Sequence, residues 1–244
     1  MSSPRFFCST KLTEHQNIAL PEALTHHAAR VLRLKNNSQI TLFDGTGGEY
    51  PAILQIDGKH ASAQLGAHDP IERELPGRIT LVQGLASGDK MDWIIEKAVE
   101  LGVHTIVPIS ARRSVLQLSG ARLEKRLEHW RKIIQAACEQ CGRNRLPGLE
   151  APQSLADFMQ NGQRSGMTLL CHPEANQDLA HVLREQKHEN LVLLVGPEGG
   201  WAPEELEIAS AAGATRVTFG TRVLRTETAG LALVAATSAL LGWR

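Results

Sequence analysis

Two short stretches near the C-terminal end of the chain carry the residue types that do chemistry. In the first, Gly196, Gly199 and Gly200 surround Pro197 and Glu198; in the second, Gly220 leads through Arg222 and Leu224 to Arg225, Glu227, Thr228 and Ala229. Glycine lets a backbone turn sharply and brings main-chain N–H and C=O groups against a ligand with no β-carbon between them. Arg225 carries a guanidinium, which stays protonated and cannot serve as a base. Glu198 and Glu227 have two available uses: to take or steer a proton, or to cap a helix N-terminus and hold the turn. Two familiar phosphate loops are excluded by spacing. A P-loop follows its last glycine with Lys and then Ser or Thr, whereas Gly200 is followed by Trp201. A dinucleotide fingerprint needs G-x-G-x-x-G at the head of a βαβ unit, and the nearest approach, Gly45 to Tyr50, has tyrosine where the last glycine belongs.

Both stretches need the same scaffold, a buried strand running into a helix. The five apolar residues 191–195 suit a strand covered on both faces, as in a parallel sheet. Pro203 suits the first turn of the next helix, and Glu204 and Glu205 suit its positive end. A second strand over 215–219 leads through Gly220 to a helix from about Thr226. Upstream, strands are expected over 79–83, 105–109 and 168–171, and helices over 90–101, 121–141 and 179–186. Such alternation predicts an α/β domain with a mainly parallel sheet, whose ligands bind beyond the C-terminal strand ends. The turn at Cys171 and His172 falls there too. The first 70 or so residues read differently. A helix over 21–34 precedes short strands over 39–43, 50–56 and 60–65, separated by Asp44-Gly45, Gly47-Gly48 and Asp57-Gly58, which are hairpin signals. The polar stretch 66–77, with Pro and Gly in both halves, reads as a linker. Two domains follow, 1–72 and 73–244.

A composition of 42% hydrophobic and 21% charged residues is that of an ordinary globular protein. No leader-like apolar run opens the chain, and the longest apolar tract, 229–241, is too short to span a bilayer. The expectation is a cytoplasmic protein with no membrane role. Cys138 and Cys141 are formally C-x-x-C, but they lie in a helical stretch with no second pair, so no metal is expected. Net charge is zero, yet residues 111–147 hold nine basic against three acidic side chains. Such an excess reads either as a path for RNA phosphates or as a solvated helix face. The last helix, 226–241, is apolar almost all round and needs neighbours on every side, which predicts a homodimer.

The pair Gly196-Pro197-Glu198-Gly199-Gly200 and Gly220 to Ala229 resembles the two cofactor loops of the SPOUT methyltransferases, knotted enzymes that use S-adenosylmethionine. Weaker matches follow in order: His26 to Arg33, Glu96 to Gly102, and Trp130 to Pro147 with Gln135, Gln140 and Arg143 in place. The chain is most similar to the branch that methylates N3 of a uridine in 16S ribosomal RNA of the small subunit. The resemblance implies a SPOUT-type parallel α/β sheet with a C-terminal deep trefoil knot, a small β-rich PUA-like N-terminal domain that presents RNA-binding surface, and a homodimer. It implies S-adenosylmethionine held by Leu170, Cys171, His172, Val195, Gly196, Pro197, Glu198, Gly199, Gly200, Phe219, Gly220, Leu224, Arg225, Thr228 and Ala229. Uridine N3 carries a proton at neutral pH, so transfer must remove it or stabilise the enolate form with a cation at O4 or O2. Arg225 is the candidate cation, with Glu198 or Glu227 taking the proton or orienting Arg225. Candidate RNA contacts are Arg5, Arg30, Arg33, Lys35, Arg112 and Arg143. One position departs from the family pattern: Ala202 stands where Ser or Thr commonly caps the helix. Two other readings stay open, a SPOUT enzyme methylating tRNA ribose 2′-O and a non-catalytic ribosome-assembly factor with the same fold.

Overall fold

The computed structural model describes residues 3–161, 166–184 and 189–243. The chain forms two compact units, one of residues 1–74 with 138–146 and the other of 75–137 with 147–244.

The first unit is built on a five-stranded sheet. Its strands are β1 (Arg5–Phe7), β2 (Asn17–Ala19), β3 (Gln39–Phe43), β4 (Tyr50–Asp57) and β5 (His60–Leu65), in the order β1-β3-β4-β5-β2. Asp57 pairs with His60 across a two-residue turn at Gly58-Lys59, the hairpin that Asp57-Gly58 signals. Alternation along β4 turns Ala52 and Leu54 inward, where they join Phe6, Leu42, Ala63 and Leu65 in one core. The expected helix over 21–34 is broken. Helix α1 (Glu22–His26) widens at once into a π-helical turn, His27–Val31, in which the Leu32 N–H donates to the His27 carbonyl at 3.0 Å. The chain then leaves through Arg33 at φ 54°, so Arg30, Val31, Leu32 and Arg33 all stand exposed.

The second unit holds a six-stranded parallel sheet: β6 (Arg78–Gly84), β7 (Thr105–Ile109), β8 (Gly148–Leu149), β9 (Met167–Cys171), β10 (Asn190–Val195) and β11 (Thr215–Val217). The order is β11-β9-β10-β6-β7-β8, and every pairing is parallel. Leu191 to Val195 are all buried, as a central strand requires. Strand β11 is shorter than expected: its ladder ends at Val217, and Thr218 makes only an isolated bridge to Asp178. The helices are α2 (Lys90–Glu100), α3 (Gly120–Cys141), α4 (Leu155–Asn161), α5 (Leu179–Arg184), α6 (Pro203–Ala211) and α7 (Thr226–Leu240). The last two residues of the helix expected over 179–186 lie outside the described residues. Helix α7 packs on α2, α5, β6 and β10 but is not buried all round; Thr228, Ala235, Ala239 and Leu240 are exposed. The chain runs outward from β6 through β7 to β8, then returns on the far side, and β10 inserts between β6 and β9. Such a reversal of strand order opens a crevice at the strand ends, and ligands of parallel sheets bind in it.

Candidate active site

A cavity of about 470 Å³ lies in that position, in the range of pockets that hold small molecules. It is lined from the turn after β9 by Cys171 and His172, from the loop after β10 by Val195, Gly196, Pro197, Glu198 and Gly200, and from the segment before α7 by Phe219, Gly220, Leu224, Arg225 and, inside the helix, Ala229. The structure therefore gathers most of the residues singled out from the sequence. Arg113 and Trp201, which the sequence reading left out of the site, also line it, together with Pro173 of the turn after β9 and Thr221, Arg222, Val223 and Thr226 of the second glycine loop. Arg113 is visible in the sequence only as one of nine basic residues, and Trp201 only as the residue after the glycine pair.

Local chemistry explains the loop after β10. The Gly200 N–H donates to the Pro197 carbonyl at 2.9 Å, closing the turn, and Gly200 sits at φ +67°, where a side chain is strained. Gly199 is a glycine for another reason. A β-carbon there would come within 2.9 Å of the Arg113 Cβ, and the Arg113 guanidinium donates to the Gly199 carbonyl at 3.2 Å. Gly199 is not among the residues that line the cavity; its close packing against Arg113 gives its own reason for a glycine there. The missing Ser or Thr cap of α6 is replaced. Glu205, 4% exposed, accepts the Ala202 N–H at 2.9 Å and, with its other oxygen, the Arg112 N–H at 3.0 Å. That carboxylate caps α6 and ties it to the segment after β7.

Three more expectations change. Leu170 is fully buried within β9 and does not reach the cavity, because its side chain points into the sheet's packed face. Thr228 and Glu227 also stay out of the lining; Glu227 lies 3.8 Å from Lys90 Nζ instead. Glu198 is engaged rather than free. Its Oε1 accepts from Lys90 Nζ at 2.8 Å, from the Ser87 hydroxyl at 2.8 Å and from the Ser87 N–H at 3.1 Å. Partial burial pushes the Glu198 carboxyl up, but the bonds from Lys90, from its own backbone N–H and from Ser87 outweigh this and hold it at about 2. A carboxylate held that low is a weak base. Arg225 stands exposed at the N-cap of α7; its carbonyl accepts the Thr228 and Ala229 N–H groups at 2.9 and 2.8 Å, while its guanidinium has no hydrogen bond or ion pair among the described residues. Cys171 faces the cavity as a neutral thiol, since burial pushes its pKa up to about 11.

The candidate RNA contacts divide. Arg30, Arg33, Lys35 and Arg112 are exposed, the Arg112 guanidinium lying 3.9 Å from the Glu204 carboxylate. Arg5 and Arg143 are withdrawn from that role. Arg143 is 3% exposed and forks onto Glu74, Nε to Oε1 at 2.9 Å and Nη2 to Oε2 at 2.5 Å. Arg5 bonds the Glu49 carboxylate and, at 2.6 Å, Asn144 Oδ1, with its guanidinium over the Phe43 ring. Guanidinium charges already engaged by carboxylates inside the first unit are poorly placed to meet a phosphate.

This geometry defines a class: an α/β protein whose parallel sheet opens a cavity of small-molecule size beyond its strand ends, beside a guanidinium without an ion-pair partner among the described residues. The comparisons make the class particular. A family model described as RNA methyltransferase domain matches residues 73–238, and one described as RNA methyltransferase PUA domain matches 20–65. The Ribosomal RNA small subunit methyltransferase E of Bacillus subtilis is 33% identical over 87% of this chain and 86% of its own. The crystal structure of the enzyme of that name from Neisseria gonorrhoeae, bound to S-adenosyl methionine, superposes with TM-score 0.89 at 37% identity, covering 98% of both chains. A Legionella pneumophila structure with bound SAM superposes at 0.92 with 30% identity, again over 98% of each chain. The chain belongs to the RNA methyltransferase family, alongside the small-subunit ribosomal RNA methyltransferases E.

Proposed function

We propose that this chain methylates N3 of a uridine in 16S ribosomal RNA, using S-adenosylmethionine, in the cytoplasm. The observation that carries the reading is the cavity itself: glycine-loop backbone on one wall, an unpaired Arg225 at its mouth, and full-length relatives solved with the same cofactor. The cofactor supplies an electrophilic methyl on a sulfonium; the protein supplies position and charge. The backbone around Gly196, Pro197 and Gly200, with the Cys171–His172 turn and the 219–229 segment, would hold the adenosine in a C-terminal deep trefoil knot. Arg225 holds the uracil oxygen whose negative charge grows as N3 loses its proton, which lowers the barrier directly. Neutral Cys171 is a poor nucleophile, so it does not compete for the methyl group. Glu198 acts through Lys90 and Ser87 to fix the loop after β6, and neither it nor Glu227 is assigned the proton. Residues 1–72 act as the PUA-like RNA-binding domain, with Arg30, Arg33 and Lys35 toward phosphate, and 73–244 as the methyltransferase domain. The exposed side of α7, at Ala235, Ala239 and Leu240, pairs two copies into a homodimer.

The test is mass-spectrometric mapping of ribosomal RNA from cells with and without the gene, with re-methylation of the deficient small subunit by purified protein. Loss and recovery of one N3-methyluridine in 16S RNA is expected. A mark on tRNA ribose, or none, would overturn the reading.

A further inference from the structure

The interior of the second unit contains a polar side chain that the chemistry above does not use. Gln83 lies in the middle of the parallel sheet, on β6, and is 0% exposed. A buried amide there is costly unless it is bonded. Its Nε2 donates to the Gly84 carbonyl at 3.2 Å and to the Thr226 hydroxyl at 2.9 Å. That hydroxyl, 6% exposed as a residue, donates in turn to the Gly196 carbonyl at 2.6 Å. Thr226 follows Arg225 directly, and Gly196 opens the glycine loop. One buried relay therefore connects the two cofactor loops, which are 30 residues apart in the chain.

The surroundings are shaped for the relay. A β-carbon on Gly230, one turn into α7 from Thr226, would stand 2.9 Å from Gln83 Oε1. A β-carbon on Gly84 would stand 2.4 Å from the Pro197 nitrogen. Glycine at both places lets α7 and the glycine loop settle onto the same short piece of β6. Among the described residues no other hydrogen bond joins Gly196 to the start of α7, and without the relay each loop is free to shift against the other by the fraction of an ångström that a tight cofactor fit cannot tolerate.

We propose that Gln83 is a positioning residue: through Thr226 it holds the glycine loop and the Arg225 segment in register, so that the cofactor pocket is preformed. The inference rests on the S-adenosylmethionine reading of the site. It says that losing the relay lowers the fraction of molecules with a competent pocket, and cofactor affinity falls by that fraction.

The experiment is calorimetric titration of the whole protein with S-adenosylmethionine, alongside thermal melting, for the unmodified chain, Gln83→Met, Thr226→Val, the double variant and Thr226→Ser. Titration of the unmodified chain tests the underlying reading by itself: no binding there sinks that reading before any variant is compared. Given binding, Gln83→Met and Thr226→Val should each weaken affinity about tenfold, the scale of one lost buried hydrogen bond. Thr226→Val already breaks both links, so the double variant should bind no worse than Thr226→Val alone. Thr226→Ser keeps the hydroxyl and should bind like the unmodified chain. Gln83→Met should melt close to the unmodified chain, because methionine fills the volume of glutamine, whereas Thr226→Val leaves the Gln83 amide and the Gly196 carbonyl unpaired and should melt a few degrees lower while staying folded at the titration temperature. Unchanged affinity in Thr226→Val, or losses that multiply in the double variant, overturns the proposal. If Gln83→Met does not fold, the contrast between Thr226→Val and Thr226→Ser decides, since both differ from the native residue by a single group.

Discussion

Replacing Arg143 with alanine separates a charge read from sequence from the same charge seen in three dimensions. As an RNA contact, Arg143 would be lost with weaker RNA binding and no change in stability. The structure makes it a buried half of an ion pair with Glu74, its side chain 4% exposed and its partner's 22%. Removing one member of such a pair leaves the other charge without its counterion and costs about 3–5 kcal/mol. Water reaches Glu74 in part, which places the cost near the lower end, about 3 kcal/mol. For a unit of fewer than about 100 residues, each kcal/mol moves the melting temperature by roughly 4–8 °C. Arg143→Ala should therefore lower the transition of the first unit by about 12 °C or more in scanning calorimetry. RNA affinity measured by filter binding well below that transition should stay within about twofold of normal, since surface phosphate contacts are intact. Glu74→Gln should reproduce most of the stability loss. A variant that melts where the native protein melts but binds RNA tenfold more weakly would refute the argument.

Other expectations test the site itself. Arg225→Ala should lose roughly a hundred- to a thousand-fold in turnover with little change in melting temperature, and Arg225→Lys should recover part of it; a large fall in stability would make Arg225 a structural tie instead. The clamp from Glu198 to Lys90 and Ser87 should be pH-dependent. The folded-state pKa of about 2 lies below the ordinary 4.5, so the clamp stabilises fully above pH 4.5 and loses that stabilisation as pH falls toward 2. Solvent around this exposed pair reduces its worth to about 1 kcal/mol, so denaturant unfolding should show native exceeding Glu198→Gln by that amount at neutral pH and by nothing near pH 2; a difference independent of pH would count against it. Arg33→Ala should weaken RNA binding and flatten its salt dependence by about one unit of slope, without touching cofactor affinity; an unchanged slope removes Arg33 from the phosphate path. Ala235→Glu should give monomers by light scattering with little change in melting temperature, and a persistent dimer would move the interface away from α7.

Some of this protein is local and can be read along the chain. An apolar run names the strand at 191–195 because a strand buried on both faces needs apolar residues at consecutive positions. Gly200 and Gly220 mark loop turns because their positive φ, +67° and +71°, is a property of the backbone at that one residue. The spacing of Pro203 and Glu205 foretells the start of α6, and the hairpin at Gly58 is written in two residues. What the sequence leaves open depends on who meets whom. The same guanidinium is a free cation at Arg225 and a buried tie at Arg143, and only Glu74, 69 residues away, makes the difference. The packing of Gly199 against Arg113, 86 residues distant, cannot be read from the glycine pair. The π-helical turn at 27–31 shows no signature in residue types, since it arises from one hydrogen bond shifted by a residue. Gln83 reads only as the polar end of the strand expected over 79–83 until the fold sets it against Thr226, which bonds the glycine loop in turn. Charge and conformation belong to single residues and pass directly from sequence to structure. Burial and partnership are properties of pairs brought together by packing, and the sheet order that brings these pairs together is decided only when the whole chain has folded.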